Sequence, residues 1–380
     1  MTLFINVPIE PIENRYSIQW KRWFSKEIYS IIDPSASMDD LAAITIVGDS
    51  DGDLNIGSKY FLDPFSTNIY KSTQMAKIID AIGDAYTDGC KNFVVFFHDL
   101  WFPGLEKLRY IESIMDGITI KIVGMLHAGT WDPHDLTAQS GMQIWSRPFE
   151  IGWLTIADEI FVATDFHKRL LTSFVDKYGS EQLINSFQNK ITTTYLPFYN
   201  NDCIEDWSYS LKPTDFEISK KENWIAFPHR LSKEKGLEEL KLFESELSKR
   251  GYSFEIKITQ DICKNKKEFY DLLKKCKYSI SFAYQETFGI SIIESIIAGC
   301  IPIVPDALSY KETVFDLFRY KVEKSKPIDR VAAAIQLIEY FELYRDGTTD
   351  ALLKSNAEVI LARSSAAIQT MLGKSLSTVV

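Results

Sequence analysis

Residues 281–304, SFAYQETFGISIIESIIAGCIPIV, decide the fold class of the second half of this chain. An apolar run ends before Glu286, a short loop leads into a helix-like apolar segment that stops at Gly299, and a second apolar run follows at once. This order predicts a strand, a tight loop, a helix and another strand, which is the unit that builds open parallel sheets. Because ligands of such sheets bind beyond the carboxyl ends of the strands, the loop at Glu286 is expected to border a binding crevice.

Two carboxylates mark this segment, with Glu286 in the loop and Glu294 eight positions later in the predicted helix. Ionised carboxylates accept hydrogen bonds from the hydroxyls of a sugar or a ribose. The start of a helix presents free amides and a positive dipole to a phosphate group. The residues at this helix start are Thr287, Phe288, Gly289 and Ile290. The segment therefore predicts a site for a phosphate-bearing ligand with hydroxyl groups.

The rest of the chain repeats the alternation of strand-like and helix-like runs. Asn92–Phe97 and Ile118–Leu126 are nearly continuous apolar runs in the first half, as expected for strands buried on both faces. A polar, turn-rich stretch over Pro197–Asp215 interrupts the pattern, which restarts as a strand at Asn223.

A chain of 380 residues exceeds one ordinary core. We predict an α/β fold with two doubly wound, Rossmann-like parallel-sheet domains that face a central cleft. The expected domains are residues 1–200, on the acceptor side, and residues 215–355, on the donor side. Residues 356–380 are expected to form a C-terminal helix that crosses back to the first domain.

The net charge of −10 is distributed unevenly. Residues 1–200 carry 16 Lys and Arg against 25 Asp and Glu, a balance of −9, whereas residues 201–380 carry 26 against 27, a balance of −1. An acidic first half argues against broad nonspecific binding to polyanions. The nearly neutral second half is better suited to a ligand that bears phosphate.

Several features indicate a cytoplasmic protein. The five cysteines include no CxxC pair, so we expect reduced, mostly buried thiols. The N-terminal residues lack the cationic and long apolar regions of a signal peptide. No stretch approaches about 20 uninterrupted apolar residues, so we predict no transmembrane segment. No obligate protein partner is evident from the sequence.

Three motifs in the second half resemble the donor domain of retaining GT-B glycosyltransferases of the family 4 type. They are the strand-end segment Phe227–Gly236 (FPHRLSKEKG), the Glu286–Glu294 spacing, and Gly299–Val304 (GCIPIV). In the first half, Ala157–Thr164 (ADEIFVAT) is more weakly similar to a strand of that family. The Gly-rich loop after the family's first strand is absent, and Asn6–Pro11 stands in its place.

The resemblance implies a donor that is a nucleotide-diphosphate sugar, with a UDP-sugar expected first. It implies that Arg230 and Lys235 stabilise the leaving diphosphate, that Glu286 serves the transferring sugar, and that Glu294 holds the ribose hydroxyls. It also implies retention of anomeric configuration and no obligatory metal. Asp51–Asp53 has the letters of a DxD metal motif but lies in a predicted turn.

A histidine is expected near the reacting centre. His127 follows the strand-like run 118–126, so it should lie at the cleft edge, where a neutral imidazole can bond the donor sugar or the reacting hydroxyl. The family places a histidine after this strand, and we therefore assign that role to His127. His98 and Asp99 form a similar candidate after the run at 92–97.

The remaining polar residues of interest have simpler interpretations. Asp132 and Asp135 are expected as turn and cap residues, and His167 is expected on a helix surface. His229 neighbours the expected phosphate-binding cations, and its role is left open. Five scattered histidines without ligand spacing predict no metal site.

The acceptor is predicted from a short N-terminal segment. Arg15–Phe24 interleaves cations with aromatic residues, so it either stacks on nucleic acid or packs as an amphipathic helix. Together with the loop after His127, it resembles phage-type sugar transferases that modify hydroxymethylated pyrimidines in DNA. Modified DNA is therefore our first acceptor hypothesis. A polysaccharide, lipid-linked or small-molecule acceptor is the alternative.

Two further classes stay open from the sequence. One is a catalytically idle GT-B relative that binds a nucleotide sugar or a protein partner. The other is a GT-B epimerase or phosphorylase. The retained carboxylates and cations favour an active transferase.

Overall fold

Two parallel β-sheets, each covered by helices, form the chain in a computed structural model that describes residues 1–12, 16–35, 41–50, 63–197, 218–322 and 326–377. The first sheet has six strands in the order β2-β1-β3-β4-β5-β6, and the second has five in the order β11-β10-β9-β7-β8. Their bounds are β1 Thr2–Val7, β2 Leu41–Thr45, β3 Asn92–Phe97, β4 Thr119–Met125, β5 Glu159–Val162, β6 Ile191–Thr193, β7 Glu222–Phe227, β8 Glu255–Ile258, β9 Cys276–Ile280, β10 Ile301–Pro305 and β11 Arg319–Tyr320.

The helices connect successive parallel strands, as a parallel sheet requires. Their bounds are α1 Tyr16–Ser35, α2 Pro64–Thr87, α3 Glu106–Ile114, α4 Leu136–Gln139, α5 Gln143–Ile156, α6 Asp165–Tyr178, α7 Glu181–Lys190, α8 Leu237–Lys249, α9 Thr259–Ile262, α10 Lys266–Lys275, α11 Ile290–Ile297, α12 Tyr310–Thr313, α13 Pro327–Tyr344 and α14 Gly347–Leu376. A short 3₁₀ turn at Lys233–Lys235 precedes α8.

Alternation along the central strands divides the core of the first half into two layers. Phe4 and Phe96 belong to the layer that includes α1 and α14, whereas Ile5 and Phe97 belong to the layer beneath α2, α3 and α5. Neighbouring residues on a strand point to opposite faces. Both faces of β1 and β3 are buried because helices cover the sheet on each side.

The C-terminal helix α14 joins the two halves. It packs against α11 of the second half and against α1, β3 and β5 of the first. Asp346 caps its N-terminus by accepting hydrogen bonds from the amides of Thr348 and Thr349. At the far end, the Lys121 ammonium donates to the carbonyl of Lys374 at 2.7 Å. The predicted C-terminal helix began at residue 356, whereas α14 begins at Gly347.

One helix contains an interior proline, and one histidine prediction needs correction. Helix α5 begins at Gln143 and contains Pro148 in its interior. A proline there lacks the N–H that would bond to the carbonyl of Ile144, four residues earlier. His167 was expected on a helix surface, but its side chain is buried.

Some predictions concern residues outside the described parts of the chain. These are Arg15, the Asp51–Asp53 turn and most of the expected linker, from residue 198 to residue 215. The side chains of Lys21 and Arg22 also fall outside the description. Across the described helices, none combines the length and apolarity needed to cross a bilayer.

The two halves contact each other at the N-terminus of α6. The Thr164 hydroxyl donates to the carbonyl of Thr287 at 2.8 Å. The Glu312 carboxylate accepts hydrogen bonds from the amides of Asp165 and Phe166, both at 2.7 Å. A carboxylate at a helix N-terminus is favourable because it meets unsatisfied amides and the positive end of the helix dipole. Glu312 of the second half thus caps the N-terminus of α6 in the first half.

Removing this carboxylate should loosen the contact between the halves. We expect Glu312→Ala to lower the free energy of unfolding by about 2 kcal/mol, since hydrogen bonds to charged groups contribute about 1.5–3 kcal/mol. Urea unfolding measures the loss. Glu181→Ala is the control, because Glu181 is an exposed acid in the first turn of α7. Equal losses in the two variants would contradict the assignment.

Two histidines of the first half are enclosed by the core. His98 bonds through Nε2 to Asn6 Oδ1 at 2.8 Å and lies 4.6 Å from the Phe24 ring, between ring centroids. His167 accepts a hydrogen bond at Nε2 from the indole N–H of Trp131 at 3.1 Å. Burial, assisted by the nearby His127, lowers the pKa of each to about 3. Both rings are therefore neutral in the folded protein.

These neutral rings predict how stability depends on pH. In the unfolded chain a histidine titrates near its ordinary value of 6.5. Below that pH the unfolded state binds more protons than the folded state, so the free energy of unfolding falls as the pH drops toward 3. The slope is up to about 1.4 kcal/mol per pH unit for each ring. Urea unfolding across mildly acidic pH measures it.

A matched pair of variants isolates the contribution of one ring. His98→Asn cannot titrate, so its unfolding free energy should depend less steeply on pH than that of the wild type. His134 is exposed, and His134→Asn should retain the wild-type slope. If His98→Asn kept the wild-type slope as well, the neutral buried ring would be ruled out.

Candidate active site

Lys235 lies at the centre of the predicted donor site. Its side chain is buried, and its ammonium donates to the carbonyl of Gln285 at 2.7 Å and to Gln285 Oε1 at 3.1 Å. A third bond reaches Glu286 Oε2 at 3.1 Å. The segment after β7 and the loop after β9 are thereby joined through one cation. Two of the residues predicted for the site are in direct contact.

A glycine permits this approach. Gly236 has φ +82°, and a Cβ at this position would lie 2.4 Å from the Cβ of Phe282, two residues after β9. Only glycine fits both the left-handed conformation and the close contact. The amide of Tyr284 donates to the carbonyl of Glu234 at 2.8 Å, which fixes the two loops against each other. These contacts fix the backbone around Lys235 close to the loop after β9.

Glu286 connects Lys235 to the start of α11. Its carboxylate also accepts a hydrogen bond from the amide of Gly289, which has φ +88° and caps the helix. Burial alone would raise the pKa of Glu286, but the charge of Lys235, the proximity of His229 and these hydrogen bonds hold it below its ordinary value. Glu286 is therefore an anion beside a helix N-terminus.

The helix start itself is compact. A Cβ on Gly289 would lie 2.9 Å from Cε1 of Tyr310, so a side chain has no room there. Phe288 is a core residue that packs edge-on against Tyr195, with ring centroids 4.7 Å apart. Ile290 begins the helix. The first amides of α11 have no acceptor within the helix, and they are what this segment can offer to a ligand.

Arg230, the second predicted cation, bonds to a carboxylate of its own loop. Its guanidinium donates to Glu234 Oε1 at 2.8 Å from Nε and lies 2.6 Å from it at Nη2. Ser232 adds a bond to each partner. The Arg230 side chain remains 29% exposed, so it can reach a ligand. Its charge also acts on the neighbouring His229.

Glu294, the predicted ribose ligand, is enclosed in a separate network. Its Oε1 accepts hydrogen bonds from the Lys266 ammonium and from the Tyr270 hydroxyl, the latter at 2.8 Å. Glu294 is 1% exposed and Lys266 is 7% exposed. Both bonds are made to Oε1. The contact with ribose therefore stays a prediction, and the contact with Lys266 is a structural fact that the sequence did not indicate.

A double-mutant cycle tests this buried pair. Glu294→Leu leaves a buried ammonium without its carboxylate, so we expect a loss of about 3–5 kcal/mol in unfolding free energy. Lys266→Met combined with Glu294→Leu removes both charges and should regain most of that loss. Urea unfolding of the wild type, both single variants and the double variant gives the coupling free energy. Simple additivity of the two single losses would refute the pairing.

On the first half, His127 faces the donor loop across the cleft. Its Nε2 donates to the carbonyl of His98 at 2.7 Å, which defines this nitrogen as protonated. The carbonyl of His127 accepts a hydrogen bond from the Thr287 hydroxyl at 3.2 Å. Its ring contacts Tyr16 and Trp20, with centroids 5.9 and 5.4 Å away. The structure thus brings His127 to the loop that carries Glu286.

The segment after His127 is held by a buried glutamate. Glu150 accepts hydrogen bonds from the amide and the hydroxyl of Thr130 and from the indole of Trp101. Asp132 accepts from the amide of His134 at 2.9 Å, and Asp135 caps α4, as predicted for turn and cap residues. This loop is therefore built rigidly at the cleft edge.

His98, the other histidine candidate of the first half, has a structural role. Burial of His98 within an aromatic cluster leaves it no route to a substrate. The adjacent Asp99 accepts from the amide of Trp101 at 3.1 Å, as a turn residue. The aromatic residues Trp20 and Phe24 are likewise buried, which favours packing over nucleic-acid stacking for the N-terminal segment.

Sequence reasoning missed several residues that shape the site. Gln285, Lys266, Tyr270 and Glu312 make the contacts described above. A lysine near a predicted helix start or a glutamine in a loop carries no pattern that distinguishes it from a surface residue. In the described part of the chain, no group of three His, Cys, Asp or Glu side chains is arranged to hold a metal ion.

No protein-family model matches the chain, and no curated protein matches it. Solved structures do. The catalytic domain of starch synthase IV from Arabidopsis thaliana, bound to ADP and acarbose, has 10% identity and a TM-score of 0.58 over 99% of each chain. Sucrose-phosphate synthase from Thermosynechococcus elongatus has 12% identity and a TM-score of 0.59 over 99% of each chain.

A third similar structure is Anabaena HepE in complex with UDP and glucose, with 10% identity and a TM-score of 0.54 over 100% of each chain. At such identities the likeness concerns the fold alone. Its extent over both halves confirms the predicted fold class: the chain has the two-domain GT-B architecture of glycosyltransferase structures.

Proposed function

We propose that this chain is a glycosyltransferase that moves a sugar from a nucleotide-diphosphate sugar to an acceptor hydroxyl. One observation carries the proposal: the buried Lys235 ammonium, the Glu286 carboxylate and the N-terminus of α11 are joined by direct hydrogen bonds at the edge of the second sheet. Such an edge is where open parallel sheets bind ligands. The GT-B structures described above contain ADP or UDP in two cases, which supports this choice of donor.

The proposed chemistry follows from where charge develops. The bond between the anomeric carbon and the distal phosphate oxygen breaks, and negative charge grows on the diphosphate. Lys235, Arg230 and the first amides of α11 would stabilise that charge as fixed donors. Thr287, Phe288, Gly289 and Ile290 would frame the phosphate through backbone. Glu286 would accept hydroxyl groups of the transferring sugar, and Glu294 those of the ribose.

We further propose retention of configuration without an obligatory metal, in line with the family 4 type of motif. The acceptor oxygen would attack from the face that the diphosphate leaves, and its proton would pass to a phosphate oxygen. His127 would bond the donor sugar or the reacting hydroxyl near this centre. The contact between its carbonyl and Thr287 supports this placement, because it joins the acceptor loop to the donor loop.

Modified DNA stays the first acceptor to test, and carbohydrate acceptors are the alternative. The buried Trp20 and Phe24 cannot stack on bases, so a DNA acceptor would rely on other groups. Incubation with radiolabelled UDP-glucose and hydroxymethylated DNA, an oligosaccharide or a lipid-linked sugar separates these classes. Analysis of the anomeric configuration of the product tests retention, and assays with and without EDTA test metal independence.

Replacing the central cation should abolish most of the activity. We expect Lys235→Met to lower kcat for sugar transfer, or for donor hydrolysis if no acceptor is found, by about 100-fold, the effect of losing one fixed donor to a developing anion. Lys233 belongs to the same 3₁₀ turn but is exposed, so Lys233→Met is the matched control and should keep wild-type rates. Thermal unfolding of both variants checks that they are folded.

Other outcomes identify the competing classes. Binding of UDP without turnover of any sugar donor would identify an idle GT-B protein. Release of a sugar phosphate only when inorganic phosphate is supplied would identify a phosphorylase. Equal rates for wild type and Lys235→Met would show that the diphosphate does not bind at this site.

A further inference from the structure

His229 carries a buried nitrogen that has no hydrogen-bond partner. It follows β7, its side chain is 5% exposed, and Nε2 finds no partner in the part of the chain that the structure describes. The other ring nitrogen, Nδ1, lies 3.3 Å from the Ser291 hydroxyl. A buried polar group without a partner costs about 1–3 kcal/mol. Such a nitrogen calls for a ligand that is absent from the free protein.

The ring lies among the residues of the donor site. Ser291 belongs to the first turn of α11, whose amides are available to a ligand. Burial, followed by the charge of Lys235, lowers the pKa of His229 to about 3, with Glu286, Arg230 and Glu234 as the other charged neighbours. The imidazole is therefore neutral and bears one N–H.

The hydroxyl of Ser291 can determine which nitrogen holds that proton. If Ser291 donates to Nδ1, the proton resides on Nε2, and the unpartnered atom becomes a hydrogen-bond donor. A donor without an acceptor, beside a helix N-terminus and the paired cations Lys235 and Arg230, is complementary to an anion.

We propose that the Nε2–H of His229 donates a hydrogen bond to the distal phosphate of the nucleotide diphosphate, the group that leaves during transfer. The inference rests on the proposed function and adds to it a neutral hydrogen-bond donor. His229 would be a catalytic residue by contact with the leaving group. Ser291 would be a positioning residue that acts through the imidazole.

Paired nucleotides test the assignment, because UDP and ADP carry the distal phosphate and UMP and AMP lack it. We expect His229→Phe to weaken binding of the diphosphate by about 10- to 100-fold, the value of a hydrogen bond to a charged group. Monophosphate affinity should be unchanged. His229→Gln, which offers an amide N–H, should recover most of the loss. Isothermal titration calorimetry measures the dissociation constants.

His167→Gln is the matched control for a buried histidine. His167 is also buried and has an unpartnered Nδ1, but it lies in the first half and bonds to Trp131. Its replacement should leave the affinity for UDP unchanged even where stability falls. Should His229→Phe fail to fold, NMR of ¹⁵N-histidine-labelled wild type serves instead: the His229 Nε2 resonance, assigned with His229→Gln, should shift with UDP and not with UMP.

The outcomes are distinguishable. No binding of any diphosphate by the wild type would defeat the proposed function itself. Diphosphate binding by the wild type, with an equal loss for UDP and UMP in His229→Phe, would overturn the contact with the distal phosphate. Unchanged UDP affinity in His229→Phe, or a His229→Gln variant as weak as His229→Phe, would overturn the role of Nε2 as donor.

Discussion

The buried ion pair between Lys235 and Glu286 is the interaction on which the candidate site depends. Removing two charges from water is costly, and their mutual attraction offsets this cost only when further hydrogen bonds satisfy both groups. Here Gln285 supplies two acceptors to the ammonium and Gly289 supplies an amide to the carboxylate. The pair is therefore satisfied before any ligand arrives, and it ties the turn at Lys235 to the loop at residues 285–289.

The position of the loop that carries Glu286 depends on contacts between the two halves as well as on contacts within the second half. Thr287, which adjoins Glu286, bonds to Thr164 and to the carbonyl of His127. Glu312 completes the N-terminus of α6, and α14 packs on both halves. A GT-B cleft lies between two domains, so its geometry is determined by such contacts. His127 is thus positioned by the same loop that holds Glu286.

Much of the fold could be predicted because it follows from local patterns. The run at Asn92–Phe97 is a strand at the predicted residues, since strands buried on both faces are nearly continuously apolar. The spacing of Glu286 and Glu294 around a glycine likewise indicated a loop and a helix start correctly. Burial of polar residues could not be predicted in the same way. His98, His167 and the Lys266–Glu294 pair are buried because of partners distant in sequence, and a single sequence does not encode which distant groups meet.

The balance of charge at the site explains why neutral donors matter there. Arg230 is paired with Glu234 and Lys235 with Glu286, so the two cations meet two carboxylates. Under the proposed function, a diphosphate at these residues would meet little net positive charge from side chains and would be repelled by Glu286. Its binding would then draw on groups that add no charge: the amides at the start of α11, the dipole of that helix and an imidazole held neutral by its surroundings. Such donors would stabilise a leaving phosphate without adding charge to the site. In the proposed transferase, the carboxylates that pair with the two cations would also weaken the attraction of these cations for the nucleotide product, which favours its release.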